Sequence, residues 1–265
     1  QVDLSMGWLP TEGQNYALSF CRDITDAMKA EEEMQRANQL ALCGQMAAGL
    51  AHEIKNPLAG VKVSLDVLSD ELDLQPEDKD LFARVINEIN RMEKLLKNLL
   101  NFARPPQPQF DLVDINHLLE NTLKNVQITA PGINGHKITF LSELSDNLPR
   151  VEADSSQLQQ IFLNILLNAI DAIETEGTIT VQTAIEENDR IRIEIIDTGK
   201  GMSEASLEKI FSPFFTTKSK GNGLGLSICK RLIEQHHGTI EVTSQPDQGT
   251  RFTITLPLLQ KILEF

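Results

Sequence analysis

A narrow stripe of amide and carboxylate side chains lies on a predicted helix that spans residues 155–173. At 100° per residue, the stripe consists of Gln157, Gln160, Asn164, Asn168 and Asp171. Most of the remaining helix surface is apolar, so a solvated face is the ordinary interpretation of such a stripe. This one, however, contains no Lys, Arg or Glu. Amide oxygens suit fixed hydrogen bonds and ligation of Mg²⁺, and the stripe is therefore a candidate metal or ligand site.

A carboxylate ends the apolar face of a predicted strand over residues 190–197. Because strand side chains alternate with a period of two, one face carries Ile191, Ile193, Ile195 and Asp197. A buried carboxylate needs a hydrogen-bond donor. Two alternatives remain open: Asp197 caps the turn that follows, from Thr198 to Gly201, or it accepts a hydrogen bond from a ligand amine.

A glycine-rich loop, Gly221-Asn-Gly-Leu-Gly225, leads directly into another predicted helix. Glycines at this position let backbone N–H groups approach phosphate oxygens, and the helix dipole favours the anion. The loop is not the dinucleotide fingerprint GxGxxG, and the chain has no GxxxxGK[ST], so P-loop chemistry is unsupported. Together, the stripe, the strand carboxylate and this loop could supply a metal ligand, a base reader and a phosphate cradle.

His52 and Glu53 form a second candidate, in the first half of the chain. Both follow the heptad residue Ala51 on a predicted helix and should face outward. An exposed His on a helix is most often an ordinary surface residue. The zinc-binding motif HExxH is absent, because its second His would be at position 56, which is Asn. The alternative is that His52 acts as a nucleophile while Glu53 accepts its proton. Pro57 should bend the helix just after this pair.

The elements predicted to position the first candidates form a mixed α/β domain. Helices are predicted over 114–126, 155–173 and 224–237, the last closed by Gly238 at its C-cap. Strands are predicted over 137–142, 178–185, 190–197, 239–244 and 250–256. The last two flank Pro246-Asp247-Gln248-Gly249, which indicates a hairpin.

The elements around His52 are predicted to be helical. A coiled-coil helix begins at Asp26, its apolar spacing resumes beyond Pro57, and a polar stretch over 73–80 separates it from a second helix that ends before Arg104. Each helix has an apolar face, and dimerisation into a four-helix bundle would cover both. Residues 105–108 read as a stiff linker. The strand-like segment 16–21 at the front cannot bury itself alone and is typical of the tail of a truncated domain.

The charge, the cysteine content and the apolar runs of the chain disfavour several classes of protein. The chain has 265 residues, with 24 Lys+Arg against 38 Asp+Glu and a net charge of -14. The acid excess disfavours nucleic-acid binding. The three cysteines, Cys21, Cys43 and Cys229, have no CxxC spacing and suit a reducing compartment. No apolar run approaches the roughly 18 residues that span a bilayer. We therefore expect a cytoplasmic piece of a longer protein, one that is membrane-anchored, if at all, through other segments.

The motifs resemble, in order, those of the transmitter region of bacterial sensor histidine kinases, and the resemblance covers about residues 24–257. The matching segments are His52-Glu-Ile-Lys-Asn-Pro57 (H box), Asn164-Ile-Leu-Leu-Asn-Ala-Ile-Asp171 (N box), Asp197-Thr-Gly-Lys-Gly-Met202 (first glycine box), Phe211-Ser-Pro-Phe-Phe-Thr-Thr-Lys218 (F box), Gly221-Asn-Gly-Leu-Gly225 (second glycine box) and Gly249-Thr-Arg-Phe-Thr-Ile-Thr-Leu-Pro257 (closing strand). The H-box and N-box forms are most similar to those of the nitrogen-regulatory subgroup. Asp23-Ile-Thr-Asp26 resembles the junction between a PAS sensor domain and its signalling helix.

The resemblance implies an α+β fold: a helical hairpin that forms a dimeric four-helix bundle, followed by an α/β sandwich of the GHKL (Bergerat) ATP-binding type. The implied domains are a PAS-like remnant (1–25), a signalling helix (26–44), a dimerisation and phosphotransfer domain (45–108) and a catalytic domain (109–265).

The resemblance also implies roles for single residues. His52 would take the γ-phosphoryl group of ATP with Glu53 as base, Asn168 would ligate Mg²⁺, and Asp197 would accept from the adenine amine. The further ATP-binding residues would be Asn164, Asp171, Gly199, Gly201, Phe211, Thr217, Lys218, Gly221, Gly223, Leu224 and Gly225. Phosphohistidine would pass its phosphoryl group to an aspartate of a response regulator. Asn56 matches the position where the family orients water, and this implies phosphatase activity.

The residues leave two alternative functions open, an ATPase and a nucleotide-binding module. ATPases with the same fold place a Glu where this chain has Asn164, and futile ATP hydrolysis should therefore be slow. Sustained turnover without a phosphoprotein would favour a GHKL ATPase. Nucleotide binding without phosphoryl transfer would favour a pseudokinase-type binding module.

Overall fold

The computed structural model describes residues 2–11, 14–24, 54–69, 75–103, 106–129, 137–187, 189–218 and 221–259. These residues belong to two compact units, Gln1–Glu93 and Lys94–Phe265. The predicted signalling helix (26–44), His52 and Glu53 lie outside the described residues.

The first unit begins with an antiparallel hairpin of strands β1 (Val2–Thr11) and β2 (Gln14–Asp23). Only the second of these segments has the alternating pattern that predicts a strand. Pro10, which lies near the end of β1 opposite Asn15, obscured the first. Because proline lacks a backbone donor, it is tolerated at such a strand end although it would disrupt a central strand.

The same unit contains a helix over residues 54–69 (α1) and the start of helix α2 (Pro76–Ala103). Lys62 Nζ of α1 donates a hydrogen bond of 2.8 Å to Asn90 Oδ1 of α2. The predicted polar break over 73–80 was too long, because α2 already begins at Pro76. Proline suits the first position of a helix, where its missing N–H would have no partner in any case.

The second unit is built on a mixed five-stranded sheet. Its strands are β4 (Lys137–Glu143), β6 (Glu176–Glu186), β7 (Arg190–Asp197), β8 (Thr239–Ser244) and β9 (Thr250–Pro257). Their order in the sheet is β4-β6-β7-β9-β8, and only β4 and β6 pair in parallel. Two short strands, β3 (Asp111–Val113) and β5 (Val151–Ala153), pair with each other and were not predicted. Three residues are too few to show a period.

Helices α3 (Ile115–Thr129), α4 (Ser155–Ala172) and α6 (Gly225–Gln235) accompany this sheet, and α4 contacts both other helices. The inner side chains of β7, Ile191, Ile193 and Ile195, are fully buried, as their alternation predicted. Burial of each such side chain stabilises the fold by about 1.5–3 kcal/mol. The expected α+β fold, a helical region followed by an α/β domain, is confirmed. A further helix, α5 (Glu204–Leu207), has only one turn and was not predicted.

The end of α6 differs from the prediction. The C-cap is His236, and His237, rather than Gly238, adopts the left-handed conformation (φ 52°). Gly238 is required for another reason, because a Cβ at this position would lie 2.6 Å from the carbonyl oxygen of Thr255. Here a close approach of backbones, and not a positive φ, selects glycine.

The described part of the linker is bound to the second unit. Pro106 O accepts a hydrogen bond of 3.1 Å from Gln157 Nε2, and the Gln109 N–H donates to Asp154 Oδ2 at 2.9 Å. Phe110 contacts the His236 ring edge to face, with 5.4 Å between centroids. The residues before α3 are therefore part of the fold of this unit. Within the described ranges, none of the helices combines the length and the apolar character that crossing a membrane requires.

Candidate functional site

Helix α4 carries the predicted polar stripe, and its N-terminus is strongly fixed. Asp154 is the N-cap, and its Oδ1 accepts hydrogen bonds from the N–H groups of Ser156 (2.9 Å) and Gln157 (3.1 Å). Burial raises the pKa of Asp154, but the hydrogen bonds from Gln109, Ser156 and Gln157 outweigh it, so that the pKa lies below its usual value. The carboxylate is thus held ionised where the helix dipole favours a negative charge.

The residues of the polar stripe differ in burial and in their hydrogen-bond partners. Gln157 is buried at the linker end and bonds to Pro106, so it serves the fold. Asn164 is half-buried, and its Nδ2 donates to the Cys229 Sγ of α6 at 3.7 Å. Asn168 is half-buried and Asp171 is exposed, at the other end of the helix. The candidate site is therefore limited to the C-terminal half of α4.

A lysine from a distant loop meets this end of α4. Lys218 Nζ donates to Asn168 Oδ1 and to Asp171 Oδ2, both at 2.7 Å. The two side chains of the ion pair are 40% and 49% exposed, and the pair lies open to solvent at the surface. Thr217, the neighbouring predicted residue, is exposed too. The fold thus brings the N box and the end of the F box together, although 47 residues separate Lys218 from Asp171.

Asp197 ends the inner face of β7 and is 4% exposed. Its Oδ1 accepts a hydrogen bond of 2.8 Å from the N–H of Gly199, the bond expected if Asp197 caps the turn. Burial raises the pKa of Asp197, and backbone hydrogen bonds from Gly199 and Thr250 oppose that rise. The capping interpretation is confirmed, and the ligand interpretation stays a prediction.

The first glycine box is packed against the end of α4. A Cβ at Gly199 would lie 2.6 Å from Ala172 O, and the N–H of Lys200 donates to that same oxygen at 3.0 Å. Gly201 has φ 62°, and its Cβ would lie 1.9 Å from Gln245 O in the β8–β9 turn. Both positions require glycine, because a methyl group would push the loop away from backbone atoms.

The segment over residues 211–218 lies against the second glycine loop. Gly223 has φ 66°, and a Cβ there would lie 2.3 Å from the backbone of Phe214. A Cβ at Gly221 would lie 2.4 Å from Thr216 Oγ1, which also accepts from the N–H of Lys218 at 3.1 Å. Phe211 is half-buried, and the Lys230 ammonium lies 5.8 Å from its ring centroid. The glycines therefore set the path of the chain that carries Lys218.

The N-terminus of α6 has the features of a phosphate cradle. Its N-cap residue, Leu224, makes no side-chain capping hydrogen bond, and its own N–H donates to Asn222 Oδ1 at 3.2 Å. A Cβ at Gly225, the first helical residue, would meet no atom within 4 Å. Open space beside uncapped first-turn N–H groups is what an approaching anion requires.

The remaining predicted residues fall in the first unit. Asn56 is exposed on α1, while His52 and Glu53 lie outside the described residues. The contacts above join the candidates of the second unit into one cluster; of the candidates in the first unit, Asn56 alone belongs to the described residues.

Two residues that support the site, Ser244 and His236, were not predicted from the sequence. Ser244 Oγ accepts from the N–H of Met202 at 2.9 Å and donates to Gly249 O at 2.7 Å, so it ties the first glycine box to the β8–β9 turn. The fully buried His236 accepts the Asp154 N–H at Nε2 (3.0 Å), and its Nδ1 bonds to Leu232 O (2.7 Å). A serine that ends a strand before a tight turn is a usable signal for the first. No sequence signal marks the second, because its partner lies 82 residues away.

Comparison with protein families places two known domains on this chain. Residues 44–108 match the His Kinase A (phospho-acceptor) domain. Residues 153–260 match the histidine kinase-, DNA gyrase B- and HSP90-like ATPase domain. The second match contains the whole cluster described above.

Among curated proteins, the chain is 38% identical over 242 residues to the signal transduction histidine-protein kinase AtoS of Escherichia coli (strain K12). It is 37% identical over 228 residues to the sensor histidine kinase ZraS of the same organism. These alignments cover 91% and 86% of this chain, but the chain spans only 39% of AtoS and 48% of ZraS.

Among solved structures, full-length ShkA in complex with AMPPNP is similar with a TM-score of 0.71 and 28% identity, over 80% of this chain and 45% of ShkA. A nucleotide-free catalytic domain of the histidine kinase ThkA has a TM-score of 0.51 and 32% identity, over 57% of this chain and 97% of that domain. ThkA in complex with the response regulator TrrA has a TM-score of 0.60 and 26% identity, over 96% of this chain and 78% of ThkA.

Proposed function

The chain belongs to the histidine kinase family, and from that premise we propose that it is the transmitter region of a sensor histidine kinase. It would bind Mg²⁺–ATP, phosphorylate its own His52 and pass the phosphoryl group to an aspartate of a response regulator. A series of contacts that joins the nucleotide-side motifs carries the proposal: Gly199 packs on Ala172, Lys218 bonds to Asn168 and Asp171, and Gly223 packs on Phe214.

The residues present fit a nucleotide. Asp197 would accept a hydrogen bond from the adenine amine, since a carboxylate that accepts from the backbone of Gly199 and Thr250 keeps further acceptor capacity. The first-turn N–H groups of α6 would bind phosphate beside Gly225, where a Cβ meets open space. Lys218 and Thr217, at the end of the F box, would face the phosphates. The complex of a similar kinase, full-length ShkA, with AMPPNP supports this assignment.

The side chain of Asn168 is suited to ligate Mg²⁺. Its amide oxygen is a hard donor, and Mg²⁺ in phosphoryl-transfer sites commonly takes one or two protein ligands and completes its coordination with phosphates and water. Lys218 already places a positive charge 2.7 Å from this oxygen, so the oxygen is accessible to a cation. Bound Mg²⁺ would neutralise charge that develops on the transferred phosphoryl group.

The acceptor side belongs to the phosphoacceptor match over residues 44–108. We propose that neutral His52 attacks the γ-phosphorus of ATP, that the bond to the leaving ADP oxygen breaks, and that Glu53 takes the imidazole proton. Domain limits of 1–25, 26–44, 45–108 and 109–265 follow from the same assignment. The transmitter would lie in the cytoplasm, with any membrane anchor in other parts of the protein.

A homodimer would complete the first unit. Helix α1 and the first part of α2 expose large apolar side chains that a second copy would cover: Val61 (50% exposed), Leu68 (43%), Leu81 (57%) and Met92 (46%). A hairpin alone cannot bury such a face, whereas a four-helix bundle can. Light scattering should therefore give the mass of a dimer for this chain.

The partner would be the receiver domain of a response regulator, as the ThkA–TrrA complex supports. We propose that Asn56, exposed on α1, orients water for hydrolysis of the regulator's phospho-aspartate. Asn56→Ala should then slow dephosphorylation of the regulator and leave phosphorylation of His52 in place. The nitrogen-regulatory subgroup is our finer assignment, and a phosphotransfer screen against purified receiver domains would test it.

Incubation with γ-labelled ATP and Mg²⁺ tests the central step. The wild-type chain should acquire an acid-labile, base-stable label, and His52→Ala should acquire none. Asp197→Ala should lose the label as well, because it loses the nucleotide. Equal labelling of His52→Ala would contradict the proposal, and sustained ATP hydrolysis without a label would favour the ATPase alternative instead.

A further inference from the structure

Lys218 contacts α4 at the oxygen that we assign to Mg²⁺, and this contact should affect metal binding. The inference rests on the proposed function. Lys218 Nζ lies 2.7 Å from Asn168 Oδ1, the atom that we assign to Mg²⁺. A second bond of 2.7 Å joins the same ammonium to Asp171 Oδ2, one helical turn further along α4. The ammonium is thus held by two oxygens, of which only one belongs to the assigned metal ligand.

We propose that Lys218 and Mg²⁺ compete for Asn168 Oδ1, and that Asp171 is the residue that keeps Lys218 at the site when the metal takes this oxygen. Two cations on one oxygen repel each other, so the ammonium must release Asn168 when a metal binds there. The carboxylate of Asp171 then remains as its partner. Asp171 acts through Lys218 and is a positioning residue.

The backbone around Lys218 allows this exchange without a large movement of the loop. The Lys218 N–H donates to Thr216 Oγ1 (3.1 Å), and Lys218 O accepts from the Gly221 N–H (3.2 Å). These bonds hold the main chain, whereas the long side chain is 40% exposed and can rotate. The movement needed is therefore a rotation of the Lys218 side chain alone.

The two charges should affect metal binding in opposite directions. Lys218→Met removes the competitor and a positive charge, so less Mg²⁺ should be needed. Asp171→Asn removes the partner that draws Lys218 away from Asn168, as well as a negative charge near the metal, so more Mg²⁺ should be needed. Each change should be about two- to fivefold, the size expected for exposed unit charges a few ångströms apart.

The experiment measures ADP binding to the whole chain by calorimetry over a series of Mg²⁺ concentrations. The readout is the Mg²⁺ concentration at which half of the metal-dependent gain in ADP affinity is reached. We expect a lower value for Lys218→Met, a higher value for Asp171→Asn, and a value near the wild type for the double variant. The exposed Lys209→Met serves as the matched control for loss of a lysine and should change nothing.

A merely structural role would give a different result. If the ion pair of Lys218 and Asp171 only stabilised the loop, either single variant would loosen the loop. The half-effect Mg²⁺ concentration would then rise in both variants, and this result would overturn the proposed exchange. Unchanged values for both variants overturn it equally. Absence of ADP binding in the wild-type chain would contradict the proposed function itself, and the exchange with it. Because ADP carries no transferable γ-phosphate, the measurement does not depend on phosphorylation of His52.

Discussion

Gly225→Ala should separate nucleotide binding from folding. Gly225 is the first residue of α6, and a Cβ there meets no atom within 4 Å. Alanine can therefore be accommodated without displacement of any neighbour. Since glycine in a helix costs up to about 1 kcal/mol relative to alanine, the free energy of unfolding should stay the same or rise by as much as that amount.

Nucleotide affinity should fall in the same variant. The methyl group would fill the open space beside the first-turn N–H groups, where we place the phosphates. Loss of one hydrogen bond to a charged phosphate oxygen corresponds to about 1.5–3 kcal/mol. At about 1.4 kcal/mol for each factor of ten, the dissociation constant of ADP should rise roughly 10- to 100-fold.

Calorimetry with ADP and Mg²⁺ measures the affinity, and thermal unfolding without nucleotide measures the stability. Gly60→Ala is the matched control, because Gly60 lies in α1 and its Cβ also meets nothing within 4 Å. It should bind ADP as the wild type does. Gly223→Ala is the opposite case, because its positive φ and the nearby Phe214 backbone make a methyl group costly in the fold itself.

Wild-type affinity in Gly225→Ala would refute the phosphate cradle at α6. A clear loss of stability in the same variant would refute the argument from open space instead. The predicted combination, a stable protein that binds ADP weakly, distinguishes a glycine kept for the ligand from a glycine kept for the fold.

Further predictions concern the core of the second unit. Burial lowers the pKa of His236 and outweighs the hydrogen bond to Leu232 and the charge of Asp154, so the unfolded chain, with a pKa of about 6.5, binds the proton more readily. The contribution of His236 to the free energy of unfolding should therefore be constant above about pH 7.5 and fall below about pH 6.5 by up to ~1.4 kcal/mol per pH unit; urea unfolding should show this fall in the wild type and much less in His236→Gln. Burial raises the pKa of Cys229 to about 12, so its peptide should escape alkylation by iodoacetamide at neutral pH unless the protein is first unfolded, as mass spectrometry would show. Ile165→Ala, at a fully buried position of α4, should lower the free energy of unfolding by about 2–5 kcal/mol, measured by the same urea titration.

The regular elements of the second unit could be predicted because their patterns are local. The period-two run of isoleucines predicts both ends of β7 correctly, at Arg190 and Asp197. The turn from Pro246 to Gly249 predicts the β8–β9 hairpin. The polar stripe on α4 likewise identified Asn168 and Asp171, since helical spacing alone places them on one face.

The remaining features depend on partners that are distant along the chain. Gln157 shares the spacing of the stripe but bonds to the linker, and only the position of Pro106 decides this. His236, one of two adjacent histidines without a motif, becomes a buried acceptor because the Asp154 N–H points at it. Lys218 meets Asn168 across 50 residues through a loop whose path depends on Gly221 and Gly223. No local pattern contains such information.

The two interpretations of Asp197 are compatible, because a carboxylate has two oxygens. The carboxylate accepts backbone hydrogen bonds from Gly199 and Thr250, and these bonds orient the group at the end of β7. Burial raises the pKa of Asp197 despite these bonds, because the surroundings solvate the charge less well than water does. A further donor would relieve that deficit, and an adenine amine is such a donor. The cap would therefore orient the carboxylate towards the adenine amine that we propose as its ligand.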